Sequence, residues 1–207
     1  MLGLAFERKE KTDLNSEKFF TMACWFESML AVAALLLGWL LDIQPYADLR
    51  FTETAALLGV AGTLPLLLIF MGMQYLPIPA VKQIKNMIEG SLGQSLIQLH
   101  WLHLLILALV AGFSEELLFR GLLQPWLEKL INLSAALIIS NLVFGLVHAV
   151  TPLYALFAIL TGLYLGWSLD CQGERNLLIP MIIHTLYDFV AFLIILRNFR
   201  KHFAQAD

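Results

Sequence analysis

The sequence predicts an all-α protein, a polytopic membrane helix bundle of about six transmembrane helices. Of its 207 residues, 59% are hydrophobic and only 14% are charged. A soluble domain is nearer half apolar and a quarter charged, and the mean hydropathy of +0.77 is correspondingly high. The formal net charge of -3 does not indicate a nucleic-acid partner, so the expected surroundings are the lipid bilayer.

Six apolar runs approach the ~20 residues that a helix needs to cross a bilayer. Polar or Pro- and Gly-containing turns separate them, and they cover roughly Phe20–Leu41, Ala55–Leu76, Leu99–Leu123, Leu133–Ala149, Leu153–Leu169 and Leu177–Leu196. The segment Ala80–Gln98 alternates apolar and polar residues instead, which is typical of an interfacial amphipathic helix or loop. We expect the third run to continue past Pro125 with a bend there.

The distribution of basic residues predicts that both termini are cytoplasmic. With six spans, three basic residues fall on the side opposite the termini: Arg50, Lys129 and Arg175. Nine fall on the side of the termini: Arg8, Lys9, Lys11, Lys18, Lys82, Lys85, Arg197, Arg200 and Lys201. Because loops rich in Lys and Arg stay in the cytoplasm, the termini are placed there.

Three charged residues interrupt the apolar stretch "AGFSEELLFRGLL", namely Glu115, Glu116 and Arg120. A charge near the centre of a membrane helix costs ~2.5–3.5 kcal/mol even on the lenient insertion scale, so such residues usually face an internal cavity. Glu116 and Arg120 are four residues apart and can pair along the helix. Glu115 points about 100° away from Glu116 and has no such partner, which leaves its carboxylate free. A purely structural network between helices is the alternative interpretation.

Two later runs also contain polar residues. His148 ends the fourth run, and His184 and Asp188 lie four residues apart on one face of the sixth. A carboxylate with imidazoles can activate a water as a general base and stabilise an oxyanion. Glu115, His148 and His184 are equally plausible zinc ligands, so a divalent metal is an alternative cofactor. No serine lies in a GxSxG elbow, which disfavours a serine nucleophile, and no HExxH zinc-protease motif is present.

The helix positions of the two histidines set a geometric condition. His148 lies about fifteen residues into its run and His184 about seven into its own. If the two helices begin at the same depth in the membrane, the histidines are ~12 Å apart in depth. They can meet if the fourth helix begins outside the hydrocarbon, or if the sixth is entered through a dipping loop. Glu27, in the first run, has no basic neighbour and is either structural or cavity-lining.

Three short motifs follow one another along the second half of the chain. "EELLFR" fits EExxxR, "FGLVH" fits FxxxH and "HTLYD" fits HxxxN/D. In this order, over about Leu99 to Leu196, the chain resembles the CAAX protease and bacteriocin-processing (CPBP/Abi) family of intramembrane endopeptidases.

This resemblance implies a glutamate-type endopeptidase that uses no covalent acyl-enzyme and no cofactor. It implies that Glu115 activates the water, that His148 assists, and that His184 and residue 188 contribute to oxyanion stabilisation. Glu116 and Arg120 then have supporting roles.

Position 188 departs from one branch of that family. It is Asp, where the eukaryotic prenyl-processing branch has Asn. An ionised aspartate only accepts hydrogen bonds, so we expect Asp188 to orient His184 or to keep it protonated. Many bacterial relatives resemble this variant, which favours a prokaryotic plasma membrane and weakens the case for prenylated substrates. The expected partner is a peptide or protein substrate, membrane-associated or not.

The chain divides into four predicted regions. These are a cytoplasmic N-terminal segment (1–19), two transmembrane helices with the amphipathic segment (20–98), the CPBP/Abi catalytic core (99–196) and a cytoplasmic tail (197–207). Two other functions stay open: a metal-dependent membrane protease, and a non-catalytic bacteriocin self-immunity factor or scaffold. The oligomeric state is not predicted.

Overall fold

The computed structural model describes residues 2–203, and it describes side chains over residues 15–201. Residues 1 and 204–207, which belong to the expected N-terminal segment and tail, lie outside the described residues. Within the described range the chain is helical and contains no strand. The helices are α1 (Leu2–Leu40), α2 (Glu53–Tyr75), α3 (Pro79–Ile88), α4 (Gln94–Leu96), α5 (Trp101–Glu116), α6 (Gln124–Leu130), α7 (Leu133–Val147), α8 (Pro152–Ser168) and α9 (Leu178–Phe203).

The predicted all-α membrane bundle is confirmed. Four helical stretches are long and apolar enough to cross a membrane: Asn15–Leu40, Glu53–Tyr75, Trp101–Leu130 and Leu178–Lys201. The helices α7 and α8 are also apolar but have only 15 and 17 residues. The six predicted spans thus correspond to six apolar helices, two of which are shorter than the ~20 residues of a full crossing.

The segment before α5 forms short amphipathic helices rather than a span. Pro79 stands at the start of α3, where its missing N–H is not needed, and Val81 and Ile84 are the buried residues of this helix. A π-helical turn, Glu89–Gly93, joins α3 to α4. Gly93 lies so close to α9 that a Cβ there would be 2.7 Å from Cγ of Phe199, so this segment packs directly on α9.

The third run is one continuous helical stretch, Trp101–Leu130, as expected from the sequence. The irregularity lies just before Pro125, in the π-helical turn Leu117–Leu123. There the N–H of Gln124 donates to the carbonyl of Phe119, five residues earlier. Proline has no N–H and its ring crowds the carbonyl four residues before it, so a change in the hydrogen-bond ladder at this point has a local cause.

The hairpin of α7 and α8 reaches only as far as the depth of Glu115. The helical stretch Trp101–Leu130 continues for about 15 residues after Glu115. Helix α7 then returns over about the same number of residues to His148, so each of these two segments is ~22 Å long. By contrast, α9 begins at Leu178, ~9 Å before His184. Helix α9 therefore begins closer to the depth of Glu115 than α7 does. For this reason His148 and His184 lie at a similar depth, and the difference of ~12 Å expected for helices that start at the same depth does not arise.

The loop that leads into α9 is held by a charged cluster. Arg175 pairs with Glu128 at 2.9 Å and with Asp170 at 3.0 Å. Burial opposes the charge on Arg175, but hydrogen bonds to Glu128 and Asp170 raise its pKa, so it stays a cation. Nδ2 of Asn176 donates to the carbonyl of Arg50 at 3.0 Å, which ties the same loop to the segment before α2.

Glycines allow α7 and α8 to pack closely. A Cβ at Gly145 would lie 2.2 Å from Cγ1 of Ile159 and 2.9 Å from the carbonyl oxygen of Ala155. Equivalent atoms at Gly162 and Gly166 would lie 2.6 and 2.5 Å from atoms of the facing α7 side chains. The hairpin therefore depends on these small residues, as membrane helix pairs commonly do.

Gly145→Ala should lower stability, because the added methyl group meets backbone as well as side-chain atoms. Overpacking of this kind costs about 1–3 kcal/mol. The matched control is Gly72→Ala on α2, where a Cβ meets nothing within 4 Å. Thermal unfolding in detergent should show a lower midpoint for Gly145→Ala only, and equal midpoints for the two variants would contradict this account of the hairpin.

Candidate active site

Four residues predicted from the sequence lie together in the structure. Oε2 of Glu115, on α5, is 3.4 Å from Nε2 of His148, at the end of α7. The same oxygen is 4.0 Å from Nε2 of His184, on α9. Oδ2 of Asp188 lies 3.5 Å from that nitrogen. Glu115 and His184 are each only 7% exposed, so the charged groups meet inside the bundle.

The carboxylate of Glu116 points in a different direction from that of Glu115 and is a shared hydrogen-bond acceptor. Its Oε1 accepts from Nη1 of Arg120 at 2.9 Å and from Nδ1 of His184 at 2.8 Å. The bond to Arg120 is the helical pair that the sequence indicates. The bond to His184 was not expected, and it orients the imidazole from the side opposite Glu115. Asp188, the expected orienting partner, lies at the other ring nitrogen and at a distance longer than a typical hydrogen bond.

The second terminal nitrogen of Arg120 connects the site to the α7–α8 hairpin. Nη2 donates to Oδ1 of Asn141 and to the carbonyl of Gly162, both at 2.7 Å. The guanidinium carbon also lies 4.8 Å from the centre of the Phe144 ring. A residue that is 1% exposed therefore links the α5–α6 stretch to α7 and α8.

Sequence reasoning missed Asn141 and Gly162 as partners of Arg120. Asn141 could have been found, since it is a lone amide in an apolar run, seven residues before His148 and on the same helical face. Gly162 contributes a backbone carbonyl, for which a sequence contains no side-chain marker.

Hydrogen bonds define which nitrogen of each imidazole faces Glu115. Nδ1 of His148 lies 2.8 Å from the carbonyl oxygen of Phe144. A carbonyl can only accept, so Nδ1 is the donor there and Nε2 is turned towards Glu115. The same holds for His184, whose Nδ1 bonds to the carboxylate of Glu116. Both histidines thus present Nε2 to one carboxylate oxygen.

These groups line a cavity of about 310 Å³. Its polar wall includes Glu27, which the structure therefore shows to be cavity-lining. Its apolar wall comes from six helices and includes Phe19, Leu66, Leu107, Phe144, Phe157 and Phe192. Since the α7–α8 turn ends at the depth of Glu115, the cavity also reaches the segment before α5, through Leu92.

The metal alternative finds no support in the geometry. Among the side chains that the structure describes, no three His, Cys, Asp or Glu residues are grouped as a metal ion requires. Oε2 of Glu115 nevertheless lies 3.4 and 4.0 Å from the Nε2 atoms of His148 and His184, and these separations do not themselves exclude a shared metal ion. A zinc protease of this type stays an untested prediction.

A carboxylate flanked by two imidazoles, in a cavity between apolar helices, can activate a water and stabilise developing negative charge. That combination, inside a bundle of apolar helices, is typical of an intramembrane hydrolase.

Comparison with known families agrees with this class. Residues 97–190 match the family model described as type II CAAX prenyl endopeptidase Rce1-like. On this match, residues 97–190 are similar to the CAAX protease and bacteriocin-processing family of intramembrane endopeptidases. All six predicted site residues fall within the matched segment, whereas α1 and α2 lie outside it. Comparisons with curated proteins and with solved structures found no match.

Arg120→Leu should destabilise the protein strongly, since it leaves the buried carboxylate of Glu116 without its cation. Breaking a buried pair in this way costs about 3–5 kcal/mol. The matched control is Arg50→Leu, because Arg50 pairs with Glu174 at 2.9 Å on the surface and such pairs contribute about 0–1 kcal/mol. Unfolding by SDS in mixed micelles measures both losses, and a small loss for Arg120→Leu would show that Glu116 does not need this partner.

Proposed function

We propose that this protein is an intramembrane endopeptidase that hydrolyses peptide bonds with a water activated by Glu115 and His148. The observation that carries the proposal is the convergence of two imidazole Nε2 atoms on Oε2 of Glu115, at 3.4 and 4.0 Å, in one cavity. The family match over residues 97–190 supports an endopeptidase in general.

The first step uses the free carboxylate oxygen. Oε2 of Glu115 is buried and has no hydrogen-bond partner among the described residues, so it is available to accept a proton. Its separation of 3.4 Å from Nε2 of His148 is longer than a direct hydrogen bond, and a water that bonds to both atoms bridges them. Glu115 takes one proton from this water, and the water oxygen attacks the carbonyl carbon of the substrate.

The second step stabilises and resolves the tetrahedral intermediate. His184 acts as an imidazolium whose Nε2–H donates to the oxyanion, while Nδ1–H stays bonded to Glu116. Oδ2 of Asp188 is 3.5 Å from Nε2 of His184, and its negative charge favours the protonated ring. An ionised aspartate can have this role, whereas it cannot itself donate a hydrogen bond to the oxyanion. The C–N bond then breaks, and the proton taken by Glu115 goes to the leaving nitrogen. The immediate products are a carboxylic acid and an amine, and the acid then passes the second proton of the water to the amine.

The proposed substrate is a peptide or protein that enters the membrane domain. We place the protein in a prokaryotic plasma membrane with both termini in the cytoplasm. Three basic residues lie on the side of the membrane opposite the termini. Each has a nearby acidic side chain or carbonyl as its partner, which supports this orientation. Arg50 pairs with Glu174, Arg175 pairs with Glu128, and Nζ of Lys129 donates to the carbonyl of Asp42.

Glu115→Gln should lower the rate of peptide cleavage by about 10²–10⁴-fold or more, because an amide cannot act as the base. Glu116→Gln should lower the rate less, since it weakens only the orientation of His184. Glu174→Gln, at an exposed position, is the control. Cleavage of a mixed peptide library by the protein in proteoliposomes, followed by mass spectrometry, measures all three.

Chelator in the same assay distinguishes the alternatives. The proposed mechanism predicts no effect, whereas loss of activity that zinc restores would favour the metal-dependent protease. A self-immunity phenotype that survives both Glu115→Gln and His148→Ala would instead favour the non-catalytic protein.

Cys171 provides a test of the orientation. It is an exposed free cysteine between α8 and α9, whereas Cys24 lies within α1. A membrane-impermeant maleimide should label intact cells at Cys171, and Cys171→Ser should remove the label. Partial burial and the charge of Asp170 raise the pKa of this thiol, so labelling should quicken as the pH rises above the usual range for cysteine. Labelling only after permeabilisation would reverse the orientation.

A further inference from the structure

We propose that Glu27 forms a subsite that binds a basic side chain, lysine or arginine, of the peptide near the bond to be cleaved. The proposal rests on the endopeptidase function proposed above and adds a substrate class to it. Glu27 lies on α1, outside the residues 97–190 that match the family model, so the subsite would belong to this chain's own N-terminal part.

The position of Glu27 on α1 directs it into the cavity. Phe19, Ala23 and Glu27 are spaced four residues apart, and all three line the cavity that contains Glu115. The neighbours one turn away, Ala23 and Ala31, are both small and leave room around the carboxylate. Oε2 of Glu27 is buried and has no hydrogen-bond partner among the described residues.

The charges that line the cavity are unbalanced. Glu27, Glu115 and Asp188 contribute carboxylates to the wall, and the described side chains that line it include no lysine or arginine. Glu27 is also close enough to Glu115 and Asp188 to interact with their charges. The nearby cation, Arg120, is already engaged by Glu116 and is 1% exposed. Even with both histidines charged, Glu27 has no cation of its own among the side chains that the structure describes.

An unpaired carboxylate in an apolar setting is costly, so a ligand that supplies the missing cation gains free energy on binding. A ligand that presents a carboxylate here, such as the free C-terminus of a peptide, is repelled instead. The geometry therefore favours an internal peptide segment with a basic residue over a substrate held by its C-terminus.

The rest of the cavity fits the other parts of a basic side chain. Leu66, Leu92 and Phe192 provide apolar surface for the methylene groups of lysine or arginine. The rings of Tyr154 and Phe157 line the same space and can contact a cationic head group.

The cleavage arm of the test uses peptide pairs that differ only in lysine or norleucine at each position around a mapped cleavage site. Wild-type protein in proteoliposomes should cleave the lysine peptide at least ~10-fold more efficiently at one position, measured as kcat/KM. Glu27→Gln should reduce that ratio to near one, and Glu27→Lys should shift the preference towards glutamate. Glu17→Gln, an exposed glutamate on the same helix, should leave the ratio unchanged.

The binding arm does not require turnover. Blocked peptides of the form acetyl-Leu-Leu-Lys-Leu-amide and its norleucine counterpart are titrated into detergent-solubilised Glu115→Gln protein, with and without Glu27→Gln. The lysine peptide should bind at least ~10-fold more tightly, and only while Glu27 is present.

The two arms separate the two proposals. A lysine preference in binding without any cleavage by wild-type protein overturns the endopeptidase function and leaves the subsite in place. Cleavage without a lysine preference, or a preference that survives Glu27→Gln, overturns the subsite and leaves the endopeptidase in place. Absence of both cleavage and the binding difference overturns both.

Discussion

The carboxylate of Glu116, which accepts hydrogen bonds from Arg120 and His184, is the interaction on which the rest of the site depends. A buried carboxylate is tolerated only when a cation and hydrogen-bond donors surround it. Arg120 supplies the cation, and its other terminal nitrogen reaches Asn141 and the carbonyl of Gly162. One ion pair thereby joins the α5–α6 stretch to α7, α8 and α9, and it orients the histidine that faces the cavity.

Two adjacent glutamates have different surroundings because successive residues of a helix point about 100° apart. Glu116 turns into the interior and is 0% exposed, where its charge is matched. Glu115 turns into the cavity, where Oε2 faces two imidazoles and has no hydrogen-bond partner in the described part of the chain. The same helix therefore provides both the structural charge and a carboxylate that can take a proton.

The cavity lies between the α7–α8 hairpin and the longer helices. One side of its wall comes from α8, between Tyr154 and Leu165. Another part comes from α1 and α2, which supply Phe19, Glu27 and Leu66. The segment that matches the family model thus contains the predicted site residues, while the N-terminal helices supply part of the cavity wall.

From the sequence alone, the fold class and the residues of the site could be predicted, because a charged side chain in an apolar run is costly and therefore conspicuous. The pairing of Glu116 with Arg120 was also predictable, since helical spacing is local. The bond from His184 to Glu116, the reach of Arg120 to Gly162 and the shared depth of the two histidines were not. They depend on how far each helix is offset along its axis and rotated towards its neighbours. Those offsets are set by contacts between distant parts of the chain, such as the glycines of the hairpin and the anchored loop before α9, so only the tertiary structure determines them.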